Sequence, residues 1–255
     1  MSHPTTLDPP RSTLIAPAAR VVDATKVYGH GATQVTALDH VTVDIAAGVF
    51  TAVMGPSGSG KSTLLHCLAG LDVLTSGTVR LGDVDLGTLS DAALTKLRRT
   101  HVGFVFQAFN LIPTLTAAEN ITLPLRLAGA RPDKAWIDEV VATVGLEGRL
   151  GHRPAELSGG QQQRVAVARA LAARPRVIFA DEPTGNLDSR SGGEVLGLLR
   201  AAVDTYGQTI VMVTHDATAA STADTALFLA DGRIAERIER PEGRRIRDVM
   251  NALGA

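Results

Sequence analysis

Short, wholly apolar runs alternate with stretches of helical spacing through most of this chain. Val49-Phe50-Thr51-Ala52-Val53-Met54, Val102-Gly103-Phe104-Val105-Phe106, Val177-Ile178-Phe179-Ala180 and Thr209-Ile210-Val211-Met212-Val213-Thr214 all have strand length and are rich in β-branched or aromatic residues. Strands covered on both faces read this way. Helical patterns lie between them: Lys61 to Leu71, Asp91 to Arg99 behind a Ser90 N-cap, Gly160 to Ala173 stopped by Pro175, and about 190 to 205. The alternation predicts a parallel sheet flanked by helices, with ligands at the carboxyl ends of the strands. Val21-Val22, Val41 to Ile45 and Thr78 to Leu89 are short β stretches punctuated by Gly29, Gly31, Gly48, Gly82 and Gly87, which predicts a separate β patch. Residues 108 to about 160 hold Pro113, Pro124, Pro132 and Pro154 between helical segments, and predict an inserted helical subdomain.

Composition narrows the class. A chain of 255 residues, 45% apolar, can form one large α/β domain with a real core. A net charge of −1 gives no general pull toward nucleic acid. Cys67 is the only cysteine, so no intrachain disulfide forms and a reducing compartment fits; it reads as a small core residue. No apolar run approaches the length of a membrane span, so any membrane-spanning part must be another chain. Residues 1 to 20, with Pro4, Pro9, Pro10 and Pro17 and no apolar centre, read as a disordered leader rather than a secretory signal. Residues 233 to 255 read as a tail. There Arg233, Arg237, Arg240, Arg244, Arg245 and Arg247 face Glu236, Glu239, Glu242 and Asp248, a mixture that suits a solvated face.

Three motifs carry chemistry. Gly55-Pro56-Ser57-Gly58-Ser59-Gly60-Lys61-Ser62 follows an apolar strand and opens a helix. Gly55, Gly58 and Gly60 let the backbone wrap phosphates with its N–H groups inward, and the helix adds its positive end. Lys61 places a charge at the β- and γ-phosphates, Ser62 offers a hydroxyl to Mg²⁺, and Thr63 can bond the α-phosphate. Asp181-Glu182 ends the apolar run at 177 to 180. Alone, such a pair is usually a strand-end ion pair. Beside the glycine loop it points to Asp181 on Mg²⁺ through water and Glu182 as acceptor of a water proton. Leu157-Ser158-Gly159-Gly160-Gln161 starts a helix with a hydroxyl and two glycine N–H groups, which suits a γ-phosphate and equally suits a helix cap.

Taken in this order and spacing, the motifs resemble the nucleotide-binding subunit of an ATP-binding cassette (ABC) transporter, over residues 21 to 232. The resemblance implies a P-loop NTPase (RecA-like) parallel-sheet core, an N-terminal antiparallel β subdomain and a helical subdomain inserted at about 108 to 160. It implies that Ser158, Gly159, Gly160 and Gln161 of one copy close over ATP held by the glycine loop of another. Gln107 resembles the Q-loop glutamine, which contacts Mg²⁺ and water and links to the membrane partner. Asp188 resembles the D-loop aspartate that couples the two sites, His215 the switch histidine near the γ-phosphate, and Tyr28 the aromatic residue on adenine. Outside that frame a Tyr in a short strand is usually packing, and a lone His after a strand is usually structural. Phe104 to Pro113, Leu115 to Asn120 and Asn186 are similar to the macrolide-exporter and lipoprotein-release group, which implies a partner with few spans and a large extracytoplasmic domain.

The implied assembly is a peripheral ATPase on the cytoplasmic face of the plasma membrane. It would hold ATP and Mg²⁺, pair with a second copy as an ATP-sandwich dimer, and drive an integral-membrane permease on a separate chain. No nucleic acid is expected, since one glycine loop and no sustained heptads argue against a cassette acting on DNA or ribosomes. The alternative is a regulatory cassette that works a membrane-bound cell-wall enzyme or sensor without transport.

Overall fold

The computed structural model describes residues 16–254. Its centre is a six-stranded sheet built from β3 (Phe50–Met54), β6 (Val102–Phe106), β7 (Val177–Asp181), β8 (Thr209–Val213), β9 (Thr225–Ala230) and β10 (Arg233–Glu239). The order across it is β10-β9-β3-β8-β7-β6. All neighbours are parallel except β10, which returns antiparallel beside β9. Parallel pairing needs crossover connections, and α1 (Lys61–Leu68), α2 (Asp91–His101), α5 (Gly159–Ala172) and α6 (Ser189–Tyr206) lie within those connections.

Alternation along each strand divides the core in two. Ala52, Ile178, Ala180, Ile210 and Met212 point into one apolar layer, shared with α5, α6, α3 (Ala117–Leu127) and α4 (Lys134–Thr143). Val53, Val177, Phe179, Val211 and Val213 point into the other, shared with α1 and the second sheet. That sheet is antiparallel, order β2-β1-β4-β5, from β1 (Ala19–Tyr28), β2 (Val35–Ile45), β4 (Ser76–Leu81) and β5 (Val84–Asp85). Cys67 is buried in this second layer, where loss of water pushes its thiol up to about 12. It is an inert packing group at neutral pH.

Two expectations need correcting. The leader was expected to be disordered to residue 20, but Ala18 and Ala19 are buried and Ala19 opens β1 against Ile45 and Leu81. Backbone pairing orders the chain there: the Ala18 N–H donates to the Ile45 carbonyl, and the Ala18 carbonyl accepts from the Gly82 N–H, both at 2.8 Å. Residues 1–15 lie outside the described residues. The stretch from 233 on is not a loose tail. It supplies β10 and then α8 (Gly243–Leu253), whose Ile246 and Val249 are buried against the core. Its charges do face outward, several of them paired: Arg233 with Asp39, Arg237 with Glu239 and Arg245 with Glu236.

Candidate functional site

Strand register brings the marked residues together. Phe106, Asp181 and Val213 occupy one row across β6, β7 and β8, and Val53 pairs with Val213 from the other side. Each strand ends at that level. Gln107, Glu182, His215 and the loop from Gly55 to Gly60 therefore leave the sheet along one edge.

The loop has no room for side chains at Gly55 and Gly60. Gly55 has φ 144, and a Cβ there would lie 2.0 Å from the Leu229 carbonyl oxygen. Gly60 has φ 99, and a Cβ there would lie 2.2 Å from the Ala37 oxygen. Gly55→Ala is therefore expected to cost about 2–4 kcal/mol and to lower the thermal midpoint by several degrees. Thermal unfolding monitored by circular dichroism measures it; an unchanged midpoint would mean the loop has room to move. Ser57, Gly58 and Ser62 are exposed, while Ser59 is buried with an Oγ that has no partner. The Lys61 ammonium reaches back over the loop and donates to the carbonyls of Gly55 (2.9 Å) and Pro56 (2.7 Å). Burial lowers its pKa, against the pull of Glu182 and Asp181.

Asp181 closes β7 with a half-buried carboxyl. Burial pushes it above the usual carboxylate range. His66 opposes that shift, Glu182 adds to it and Lys61 opposes it. His66 follows Ser62 by one helical turn, so both lie on one face of α1. Glu182 takes the left-handed conformation (φ 47), with its N–H donating to the Val213 carbonyl at 3.0 Å. A non-glycine residue there costs about 1 kcal/mol or more, and it turns the side chain sharply off the strand. Its Oε1 lies 2.9 Å from His215 Nδ1. Gln107 and Asn186 hold each other: the Gln107 amide donates to Asn186 Oδ1, and Asn186 Nδ2 donates to the Gln107 carbonyl, both at 3.1 Å.

Three further expected groups sit at the ends of elements. Ser158 caps α5 in a reciprocal box: the Gln161 N–H donates to Ser158 Oγ, and the Ser158 N–H donates to Gln161 Oε1. The space at Gly159 is bounded by Leu187 and Phe109, and that at Gly160 by Ser191. Asp188 caps α6, accepting from the N–H groups of Arg190 and Ser191 at 3.0 Å each; these bonds, Ser191 first, lower its pKa. Tyr28, 42% exposed, ends β1, and its hydroxyl donates to Asp72.

Sequence reasoning passed over Gln163 and Arg169. Gln163 is fully buried, and its amide donates to the carbonyls of Phe106 and Pro183. Arg169 donates to the carbonyls of Phe109 and Asn110, two residues with left-handed backbones. Gln163 ties α5 to the segments that carry Gln107 and Glu182, and Arg169 ties it to the segment just after Gln107. The repeated glutamines from 161 to 163 hid the difference between a capping side chain and a buried tie.

This edge, with its glycine loop, acid pair and separate helix cap, matches a known family. The profile described as ABC transporter fits residues 38–185. The chain belongs to the ABC transporter family. It is an ATPase of the ATP-binding cassette kind. It is 47% identical over 216 residues to the lipoprotein-releasing ATP-binding protein LolD of Geobacter metallireducens, covering 84% of this chain and 96% of that protein. It is 46% identical over 228 residues to the macrolide export protein MacB of Rhodospirillum rubrum, covering 88% of this chain. The match spans only 35% of that ATP-binding/permease protein. Among solved structures, the cassette MJ0796 of Methanocaldococcus jannaschii, a post-hydrolysis dimer with ADP and Pi, matches with a TM-score of 0.79 and 42% identity over 88% of this chain and 99% of that one.

Proposed function

We propose that two copies of this chain close head to tail around two ATP molecules and drive a separate membrane-spanning permease. One arrangement carries the reading. Ser158 caps an exposed helix start beside Phe109, Leu187 and Ser191, while the glycine loop lies at the end of β3; in this reading they are halves of two different sites, each completed by the other copy. The solved cassette that is dimeric with ADP and Pi bound supports a pair of copies as the working unit.

In the closed pair, Gly55 to Thr63 wrap the phosphates of one ATP and Tyr28 stacks on its adenine. Lys61 turns from its own loop carbonyls to the γ-phosphate, which the other copy's Ser158, Gly159 and Gly160 N–H groups meet from the opposite side. Glu182 takes a proton from the attacking water as the bond to the departing ADP breaks. His215, already on Glu182, stands where it can hold the γ-phosphate. Ser62, Gln107 and Asp181 would hold Mg²⁺, which offsets charge on the β- and γ-phosphates. A hydroxyl, an amide and one poorly solvated carboxylate suit a hard cation that takes its remaining ligands from phosphate and water.

A groove supports the permease as partner. It holds about 290 Å³ between Phe104 and Phe106 on β6, Leu123, Pro124 and Leu127 on α3, and Arg169. Leu127 is 56% exposed at its rim, and Gln107 follows directly on Phe106. A segment of the permease seated there would touch the strand that delivers Gln107 to the site. No helix of the described residues is long and apolar enough to cross a membrane. The proposed location is the cytoplasmic face of the plasma membrane, through that partner.

Light scattering on Glu182→Gln, with and without ATP·Mg²⁺, tests the pairing. The expected result is a shift from monomer to dimer on adding nucleotide. A monomer under all conditions, with the permease present as well as absent, would overturn it.

A further inference from the structure

Tyr28 does not stand alone at the end of β1. Its hydroxyl donates to Asp72 Oδ2 at 2.6 Å. The Lys26 ammonium donates to Asp72 Oδ1 at 2.6 Å and to the Val73 carbonyl at 2.7 Å, and lies over the Tyr28 ring, 4.8 Å from its centroid. One carboxylate thus holds both the hydroxyl of the ring and the cation above its face. The pair is well shielded, with side-chain exposures of 13% for Lys26 and 28% for Asp72.

The carboxylate is itself tied to the phosphate-binding part of the molecule. Asp72 follows α1, the helix that the glycine loop opens, and the N–H groups of Leu71 and Asp72 both donate to the His66 carbonyl. The same segment is stapled to β1: the Thr75 N–H donates to the Thr25 carbonyl at 2.8 Å, and the Val27 N–H donates to Thr75 Oγ1 at 2.9 Å. A free tyrosine at a strand end would swing on two side-chain torsions. This one is fixed at its hydroxyl by Asp72, which follows α1, and at one ring face by Lys26 of its own strand, which Asp72 also holds.

We propose that Asp72, with Lys26, is a positioning residue for Tyr28, fixing the ring at the distance from the glycine loop that a triphosphate-linked base requires. This rests on the reading that Tyr28 stacks on the base. With Lys26 against one face, the other face is the one offered to the ligand. Cation–π contact and hydrogen bonding act together. The ionisation of the ring hydroxyl is shifted upward, first by burial and then by the bond to Asp72, so the phenol stays a donor at physiological pH.

The test compares ATP with inorganic tripolyphosphate, which has the phosphates and no base, as ligands of the full chain, by calorimetric titration. Tyr28→Ala should weaken ATP binding by about 10–100-fold, the value of base–aromatic stacking, with little effect on tripolyphosphate. Asp72→Ala should weaken ATP by about 3–10-fold and leave tripolyphosphate unchanged. Tyr28→Phe keeps the ring and the Asp72–Lys26 pair but loses the anchor. It should match Asp72→Ala, and the double variant should be no worse than either alone. If Asp72→Ala weakens both ligands alike, Asp72 only props up its loop and the proposal fails. If Tyr28→Ala weakens ATP while Asp72→Ala and Tyr28→Phe do not, the ring stacks without needing its anchor, and positioning alone is overturned. If Tyr28→Ala leaves ATP binding unchanged, the stacking reading falls and takes the proposal with it.

Discussion

Glu182→Gln is expected to lower ATP turnover by about 10²–10⁴-fold while leaving ATP binding intact. The substitution keeps size and shape, so the left-handed turn at Glu182 and the hydrogen bond from its N–H to Val213 survive. An amide can still meet His215 Nδ1, which lies 2.9 Å from the present carboxylate oxygen. What it cannot do is take a proton from water. The glycine loop and Lys61, proposed to hold the phosphates, and Asp181 are untouched. The measurement is phosphate release under single-turnover conditions beside a calorimetric titration with ATP. Normal turnover would remove Glu182 from the role of base. His215 would then be the nearest ionisable group left to consider. If affinity fell together with turnover, Glu182 would be contributing to ground-state binding instead.

How much of this site the sequence makes visible depends on range. The glycine loop is legible because phosphate binding needs contiguous backbone N–H groups, and the residue types that permit it are neighbours in the chain. The acid pair is legible because four apolar residues precede it and no adjacent cation answers it. The meeting of Gln107, Glu182 and His215 is different. It depends on the shared row of Phe106, Asp181 and Val213, a register set by packing on two faces of the sheet. No local pattern encodes it; only the family resemblance anticipates it. The bonds from Tyr28 and Lys26 to Asp72 span 44 and 46 residues and leave no trace in spacing. The tail was hidden for another reason. Ile246, Val249, Met250 and Leu253 recur at helical spacing, but dense Arg and Glu around them made the whole stretch resemble a solvated surface. Such charges cover one side of a helix without preventing burial of the other. The run Thr225 to Ala230 is apolar enough for a buried strand, and its place beside β3 follows only from the tertiary structure.

Ser158→Arg is expected to abolish ATP hydrolysis, by about 10²-fold or more, without weakening ATP binding to the isolated chain. In the single chain Ser158 only caps α5, so the folded monomer should lose about 1 kcal/mol, the usual value of a cap. That is too little to unfold a domain with two apolar layers. The large effect must then come from a second copy. A long cation at an exposed helix start would block close approach to the γ-phosphate held by the other chain. Mixing makes the argument decisive. Ser158→Arg keeps its glycine loop, and Lys61→Ala keeps its Ser158. Each is expected to be inactive by itself. In a mixed pair, one site joins the intact loop of the first to the intact helix start of the second. Half of randomly formed pairs are mixed and each holds one good site, so roughly a quarter of wild-type phosphate release should return if the two sites work independently. If Ser158 served the ATP of its own chain, no mixture would contain a working site, and activity would stay at the sum of the two inactive variants. Recovery therefore separates a shared site from a self-contained one, which no experiment on either variant alone can do.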